Sequence, residues 1–526
     1  MDVFNELMLG FSHILTFQII LYAVLGCALG MLTGVLPGFG PAAATALLLP
    51  VAFLVGPTAS IVMIAAIYYG SMYGGTITSV LLNVPGEVSS VATCIDGYQM
   101  TKRGQAGKAL AIAAIGSFVG GTISIFAMLF ASKFASLALS LTYLDVFAFS
   151  LLALSLVVML TGDSMIKGLV SAALGLFVGM VGLDNFTGVP RFTMGSLSLF
   201  DGINFVAVVM GIFGLAEILE SIGGQRVADF SGNIGSVLLK WRDIRDTLGS
   251  MARGTVIGFF FGLVPGSPAA ACSFTSYAVE KRVSKTPERF GRGAIQGVAG
   301  PETANNALGI SNFIPLLTLG IPSSATMAIL LGAFVINGLT PGPLLFTQHP
   351  EIAWGFIASL ALSNVILLIM ALPLVRMWVS VLKIPTLTLY AITLGFMTVG
   401  AYTVDTSIFN VAVMWIAGLI GFALRRLKVP MAPAALTLVL GPMLEGNFRR
   451  ALSVNHGSFT GLFTSPTADI AYGLIAAIVL AKIFGALRRD HVVRTPIREQ
   501  PEDPSGTEIP GNTAGQEQVR GGTYHN

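Results

Sequence analysis

Two carboxylates and a set of neutral polar residues stand beside four proline- and glycine-rich interruptions in an otherwise apolar chain. Glu87 directly follows Pro85 and Gly86, and Glu302 precedes Asn305 and Asn306 at the corresponding place in the second half. A helix interrupted within an apolar run leaves N–H groups with partial positive charge at one end and bare carbonyls at the other. The first attract carboxylates and the second attract small cations. Candidate substrate ligands are therefore Pro37, Gly38, Gly40, Asn83, Pro85, Gly86, Ser89 and Ser90, with Pro265, Gly266, Ser267, Asn305, Asn306, Pro322, Ser323 and Ser324 in the second half. Candidate ion ligands are Thr78, Ser79, Glu87, Glu302, Asn312, Thr318 and Gly320. Small hydroxylated residues also serve close helix packing, so the case rests on their clustering beside the breaks. An intramembrane carboxylate is a functional candidate by default, for cation coordination, gating or helix capping.

The interruptions come in two pairs. GVLPG at 34–38 runs through Phe39 and Gly40 into PAAA at 41–44, and GLVPG at 262–266 runs through Ser267 into PAAA at 268–271. LLNVPGEVSS at 81–90 and LLTLGIPSSA at 316–325 follow at similar distances. This is an internal repeat. The second elbow is one residue shorter than the first, so the two tips are not mirror images.

The elements that must position these residues are membrane helices. With 54% hydrophobic and 10% charged residues in 526, and a mean hydropathy of +0.80, the composition excludes an ordinary soluble domain. About a dozen apolar stretches approach the ~20 residues a crossing needs, among them 14–36, 109–131, 137–160, 203–221, 352–375 and 467–487. The expected fold is an all-α polytopic membrane protein of about 12 segments. The N-terminal apolar stretch lacks a basic flank and reads as an uncleaved span.

Basic residues orient the chain. None precedes Lys102, which with Arg103 and Lys108 forms the first basic loop, placed in the cytoplasm; four stretches later the chain returns there at Arg226, Lys240, Arg242, Arg245 and Arg253. Lys133 and Arg191 then face outward as exceptions. Residues 254–279 carry the second elbow between strongly basic flanks, so they read as a re-entrant hairpin from the cytoplasm. The first elbow, at 14–57, has no basic flank and dips in from the other side. Segments 61–100 and 307–339 each read as one broken crossing, in opposite directions, which makes two inverted repeats. The corresponding divisions are 1–108, the first repeat core; 109–253, scaffold; 254–345, the second repeat core; and 346–487, scaffold. Beyond Arg376 the charge pattern weakens: Arg449 and Arg450 fall on the wrong side, and 430–446 reads as re-entrant or interfacial. The polar segment 488–526 reads as a disordered tail.

Cys27, Cys94 and Cys272 lack paired spacing and read as small core residues. Neither a zinc-protease helix motif, nor a Walker loop, nor a nucleophile elbow is present. An enzyme, a bound cofactor and a nucleic-acid partner are not expected, and an ion gradient or a partner must drive any transport. A channel built from the same broken elements and a non-transporting receptor or scaffold remain alternatives.

GVLPGFGPAAATALLLP, YYGSMYGGTITSVLLNVPGE, GLVPGSPAAA, GPETANNALG and LTLGIPSSATMAILLGAF together resemble the large membrane subunit of the bacterial tripartite tricarboxylate transporters, over about residues 10–490. The resemblance implies a multi-pass subunit of the bacterial inner membrane. It would take up carboxylates, tricarboxylates such as citrate in the founding cases, from a periplasmic solute-binding protein. It also implies a small membrane partner of about four helices, Na⁺ as coupling ion with proton coupling as the rival, and an elevator-type arrangement of a moving hairpin-bearing unit against a scaffold.

Overall fold

Proline and glycine set the helix boundaries in the first half. In the computed structural model, which describes residues 3–493 except 37, 38, 132, 134, 136–138, 161–163, 185, 223–233 and 383, the chain opens with α1 (Val3–Ile14) and α2 (Phe17–Gly34). The first elbow follows, and α3 (Pro41–Phe53) and α4 (Pro57–Leu82) each begin with proline at the first helical position, where its missing N–H costs nothing. α4 ends on Asn83, whose left-handed backbone (φ 57°) turns the chain out of the helix. Pro85 follows two residues later, a short 3₁₀ turn spans Val88–Ser90, and α5 (Val91–Lys102) completes the broken element. The first basic loop is a tight turn between α5 and α6 (Ala106–Met128).

The same order of parts recurs. After α7 (Tyr143–Leu160), α8 (Met165–Gly179) and α9 (Phe205–Ile222) come α10 (Trp241–Leu263), the second elbow and α11 (Ala269–Val283). α12 (Gln296–Ser311) and α13 (Phe313–Leu319) end on Gly320, again left-handed at φ 71°, with Pro322 two residues on and α14 (Ala325–Ile336) beyond. Each broken element thus uses one device: a left-handed residue, one residue, then proline. α10 starts at Trp241, so the first arm of the second hairpin is longer than the apolar segment 254–279. Its initial turns carry Arg242, Asp243, Arg245 and Asp246, which hide them from hydropathy but not from the helical pattern.

The remaining helices are α15 (Pro343–Gln348), α16 (Pro350–Ala371), α17 (Val375–Val381), α18 (Thr386–Thr403), α19 (Ile408–Arg426), α20 (Ala432–Val454) and α21 (Pro466–Val493). α20 is one continuous helix, so the segment 430–446 contains no re-entrant break. α21 reaches Val493, and the first six residues of the expected tail are therefore helical; residues 494–526 lie outside the described residues. The residues to Ile478 form one compact unit and those from Val479 a second. Among the described residues seven helices are long and apolar enough to cross a membrane: α2, α4, α6, α7, α9, α16 and α19. The only sheet among them is a two-residue pairing of β1 (Gly182–Leu183) with β2 (Pro190–Arg191).

α4 and α12 are the central helices: every residue from Ala59 to Leu81, and from Gly297 to Ser311, is buried. Each receives the first arm of its own hairpin through a glycine ladder. Gly26, Gly30 and Gly34 of α2 lie against the backbone at Met63, Ile67 and Ser71 of α4. Gly254, Gly258 and Gly262 of α10 lie against Gly300, Ala304 and Leu308 of α12. Any side chain there would collide with a facing carbonyl, and the bare Cα atoms let the backbones approach as small-residue stripes do in membranes. The two ladders occupy the same positions relative to their Pro-Gly elbows, a repeat that extends the elbow match towards the N-terminus of each half.

Two of the basic residues that break the charge bias also find a structural account. Arg191, in β2, and Arg449, near the end of α20, meet in a closed quartet with Asp184 and Glu445. Arg191 pairs with Asp184 and donates to Glu445 at 2.9 and 3.0 Å; Arg449 pairs with Asp184 at 3.0 Å and with Glu445 at 2.8 Å. Two positive and two negative charges cancel locally, so these arginines carry little weight in a count of loop charge.

Candidate functional site

The four interruptions converge on one cavity of about 410 Å³. Its wall is built chiefly from the starts of four helices: Gly40 to Ala42 at α3, Glu87 to Ser89 before α5, Ser267 to Ala270 at α11, and Ser323 to Thr326 at α14. First-turn N–H groups have no partner within their helix, so these ends supply donors and partial positive charge from four directions. One hydrogen bond ties two of the tips, Gly266 N–H to the Ser323 carbonyl at 2.8 Å, and Gly40 faces Glu87 across the first pair. Gly266 has φ 78° and packs against the backbone of Val157 in α7, where any side chain would collide.

Of the candidate substrate ligands, Gly40, Ser89, Gly266, Ser267, Asn305, Ser323 and Ser324 line this cavity. Of the candidate ion ligands, Glu87 and Asn312 do. The others hold the surroundings. Ser79 and Ser90 join across the first break at 2.7 Å, and the N–H groups of Gly86 and Glu87 donate to Ser79 and Ser90 at 3.3 Å each. Thr78 and Thr318 donate back to carbonyls within their own helices, the bland packing role. Asn306 reaches Ser117 of α6 at 2.7 Å. Asn83 and Gly320 are the left-handed ends, and Pro85, Gly86, Pro265 and Pro322 shape the turns. Pro37 and Gly38 lie outside the described residues. Sequence patterning missed Tyr68 and Met72 of α4, Leu308 of α12, Val157 of α7 and Ala432 of α20, which close the cavity and lie about three or more helical turns, or a whole helix, away from the helix breaks.

Buried carboxylates join the two halves. Glu302 of α12 accepts from Thr76 of α4 at 2.9 Å and from Thr93 of α5 at 2.5 Å. Asn305 Nδ2 donates to Glu87 Oε1 at 2.7 Å. Asp96 of α5, not among the candidates, is fully buried. It accepts from Tyr277 of α11 at 2.8 Å and from the N–H groups of Gly291, Gly293 and Ala294 at 3.0, 2.6 and 2.8 Å. Its i+9 spacing from Glu87 gave no signal, because its partners lie about two hundred residues away. Glu280 of α11, likewise buried, accepts from Ser250 at 2.6 Å and from Arg253 at 2.7 and 2.8 Å, fixing α10 to α11. The three cysteines are free and buried, and no group of metal-ligating side chains occurs among the described residues.

A polytopic helical chain whose broken helices aim their N-termini at a shared interior cavity belongs to the class of membrane transport proteins. The family profile of the tripartite tricarboxylate transporter TctA family matches residues 20–436, nearly four-fifths of the chain. The chain belongs to that family, one of transporters and not of enzymes. It is 43% identical over 498 residues, 94% of its length and 99% of the relative's, to an uncharacterized 52.8 kDa protein of the TAR-I ttuC' 3' region of Agrobacterium vitis. A second uncharacterized protein, from the TAR-II ttuC' 3' region of the same organism, is 43% identical over 237 residues, 45% of this chain and 98% of the relative. No solved structure matches the chain significantly.

Proposed function

We propose that this chain is the translocating subunit of a secondary transporter of the bacterial inner membrane, importing carboxylates handed over by a periplasmic solute-binding protein and driven by Na⁺. The observation that carries the reading is the cavity: four helix N-termini surround it, and among the described residues lining it there is no lysine, arginine or histidine. Backbone N–H groups hold an anion without a fixed counter-charge, so the anion is also released readily, as a transport cycle requires. A volume of about 410 Å³ suits a small di- or tricarboxylate such as citrate. Na⁺ would rest on the carbonyl-rich helix ends near Asn83 and Gly320 and on Asn312, with Glu87 beside it.

In this reading the two halves are inverted repeats, the short helices pair across their breaks to bring the total to about 12 segments, and the hairpin-bearing unit moves against the scaffold to alternate access. A small four-helix membrane subunit completes the complex. Proton coupling is a second reading with an observation of its own: among the described residues neither Glu87 nor Glu302 has an ion-pair partner, and each meets only neutral donors. The test is uptake of labelled carboxylates into proteoliposomes holding the chain and its small partner, with the binding protein outside. Accumulation that requires both inward Na⁺ and the binding protein supports the proposal. Uphill accumulation on a proton gradient alone assigns the coupling to protons, and flux only down the substrate's own gradient replaces the transporter with a channel.

A further inference from the structure

The cavity that suits an anion contains a carboxylate of its own. Glu87 is the single acidic residue among the described residues lining it, and it stands at one of the four helix starts. Asn305 Nδ2 holds its Oε1 at 2.7 Å, so the carboxylate is oriented and does not swing freely. Across from it stands Gly40 of the first elbow, where an added Cβ would lie 3.7 Å from the Glu87 Cβ, at ordinary van der Waals distance. The neighbouring Ser89 is 2% exposed, and its hydroxyl lies beside the Glu87 carboxylate. Of the other serines at the wall, Ser323 donates to Asn312 and Ser324 caps the Met327 N–H. The wall therefore offers a ligand many N–H donors and one strong acceptor.

A ligand carrying carboxylates alone would satisfy the donors and meet the acceptor with lone pairs of like charge. A carboxylate that also bears an O–H or N–H⁺ group turns that repulsion into a charge-assisted hydrogen bond. We propose that the substrates of this cavity are carboxylates with a hydrogen-bond donor of their own, a hydroxyl or an ammonium beside the carboxylate, and that Glu87 is the residue that reads it. This rests on the carboxylate reading above and narrows it: hydroxy or amino acids are taken in preference to their unsubstituted counterparts. A site with a buried polar group positioned for a substrate donor rejects the analogue that lacks it, because the group is then left unpaired.

The test measures binding by calorimetry to the full-length chain in lipid nanodiscs at saturating Na⁺. The ligand pairs differ only in the donor: citrate with tricarballylate, malate with succinate, and aspartate with succinate. The wild type is expected to bind the donor-bearing member at least about tenfold more tightly in at least one pair. The malate and aspartate arms tell a hydroxyl from an ammonium. Glu87→Leu should bring that ratio to within about threefold, chiefly by weakening the donor-bearing ligand, and Glu87→Gln, which keeps a neutral acceptor, should give an intermediate ratio. Should Glu87→Leu not yield monodisperse protein, the Gln variant decides, and an unchanged ratio in it overturns the proposal. Equal wild-type affinities within every pair also overturn it, and so does an equal loss for both members in the variants, since a Glu87 that only holds the coupling ion acts on both alike. Wild-type protein that binds no carboxylate at all sinks the carboxylate reading itself.

Discussion

Asp96 offers the sharpest test of how the two halves are held as one body. Replacing it with alanine removes the acceptor of Tyr277 and of three N–H groups in the segment that joins α11 to α12. The amide of Gly291, an exposed residue, finds water, which leaves the buried Ala294 N–H and the half-buried donors of Tyr277 and Gly293. An unsatisfied buried donor costs about 1–3 kcal/mol, so one buried and two half-buried donors left without an acceptor give Asp96→Ala a loss of about 3 kcal/mol. Asp96→Asn keeps an oxygen for the N–H groups and turns its amide towards the Tyr277 oxygen, which can accept. It forfeits only the charge assistance, about 1 kcal/mol. The difference of about 2 kcal/mol corresponds to about thirtyfold. Large membrane proteins unfold irreversibly, so the readout is the rate at which monodisperse protein is lost at a fixed elevated temperature. Asp96→Ala should decay far faster than Asp96→Asn, with hydrogen exchange rising first in 284–295. Decay of the two variants within twofold of each other would refute the four-bond clasp.

Gly258→Leu forces a side chain into the Ala304 carbonyl of α12 and should prevent stable folding, whereas Gly473→Leu, with open space around it, should leave purified yield unchanged; fluorescence size-exclusion profiles decide. Ser267→Cys should react with a small membrane-permeant maleimide and be protected by a bound carboxylate, and protection absent at saturating ligand would remove the second tip from the site. The quartet makes a pH prediction. The Phe186 N–H, together with Arg449 and Arg191, holds the Asp184 carboxyl well below the usual carboxylate range. A depressed folded-state value means that its stabilisation is present above the unfolded value of about 4 and is lost as pH falls through the folded one. Hydrogen exchange in 182–191 should therefore stay slow to about pH 4 and rise only in stronger acid, while Asp184→Asn should raise it at neutral pH.

Much of the function-bearing geometry was legible in the residues because it depends on local backbone chemistry. Proline cannot continue a helix and left-handed glycine or asparagine ends one, so the breaks at Asn83 to Glu87 and Gly320 to Ser324 follow from residue types wherever they fold. Repetition of the elbow sequence then marked the two halves. The glycine ladders were readable in principle, since Gly26, Gly30 and Gly34 match Gly254, Gly258 and Gly262 at four-residue spacing.

Tertiary structure alone decided which polar residues face the cavity. Thr78 and Thr318 sit as near to the breaks as Ser89 and Ser323, yet they spend their hydroxyls on their own helices, because a helical turn sends neighbouring side chains in different directions. Asp96 and Glu280 were invisible as clasps because a buried carboxylate is tolerated only where donors from distant segments meet it. The pairing of Arg191 and Arg449 with Asp184 and Glu445 likewise joins residues more than 250 apart. Local rules place the breaks in the chain; only packing brings their four helix starts to one cavity and leaves Glu87 as the lone acid among the described residues that line it.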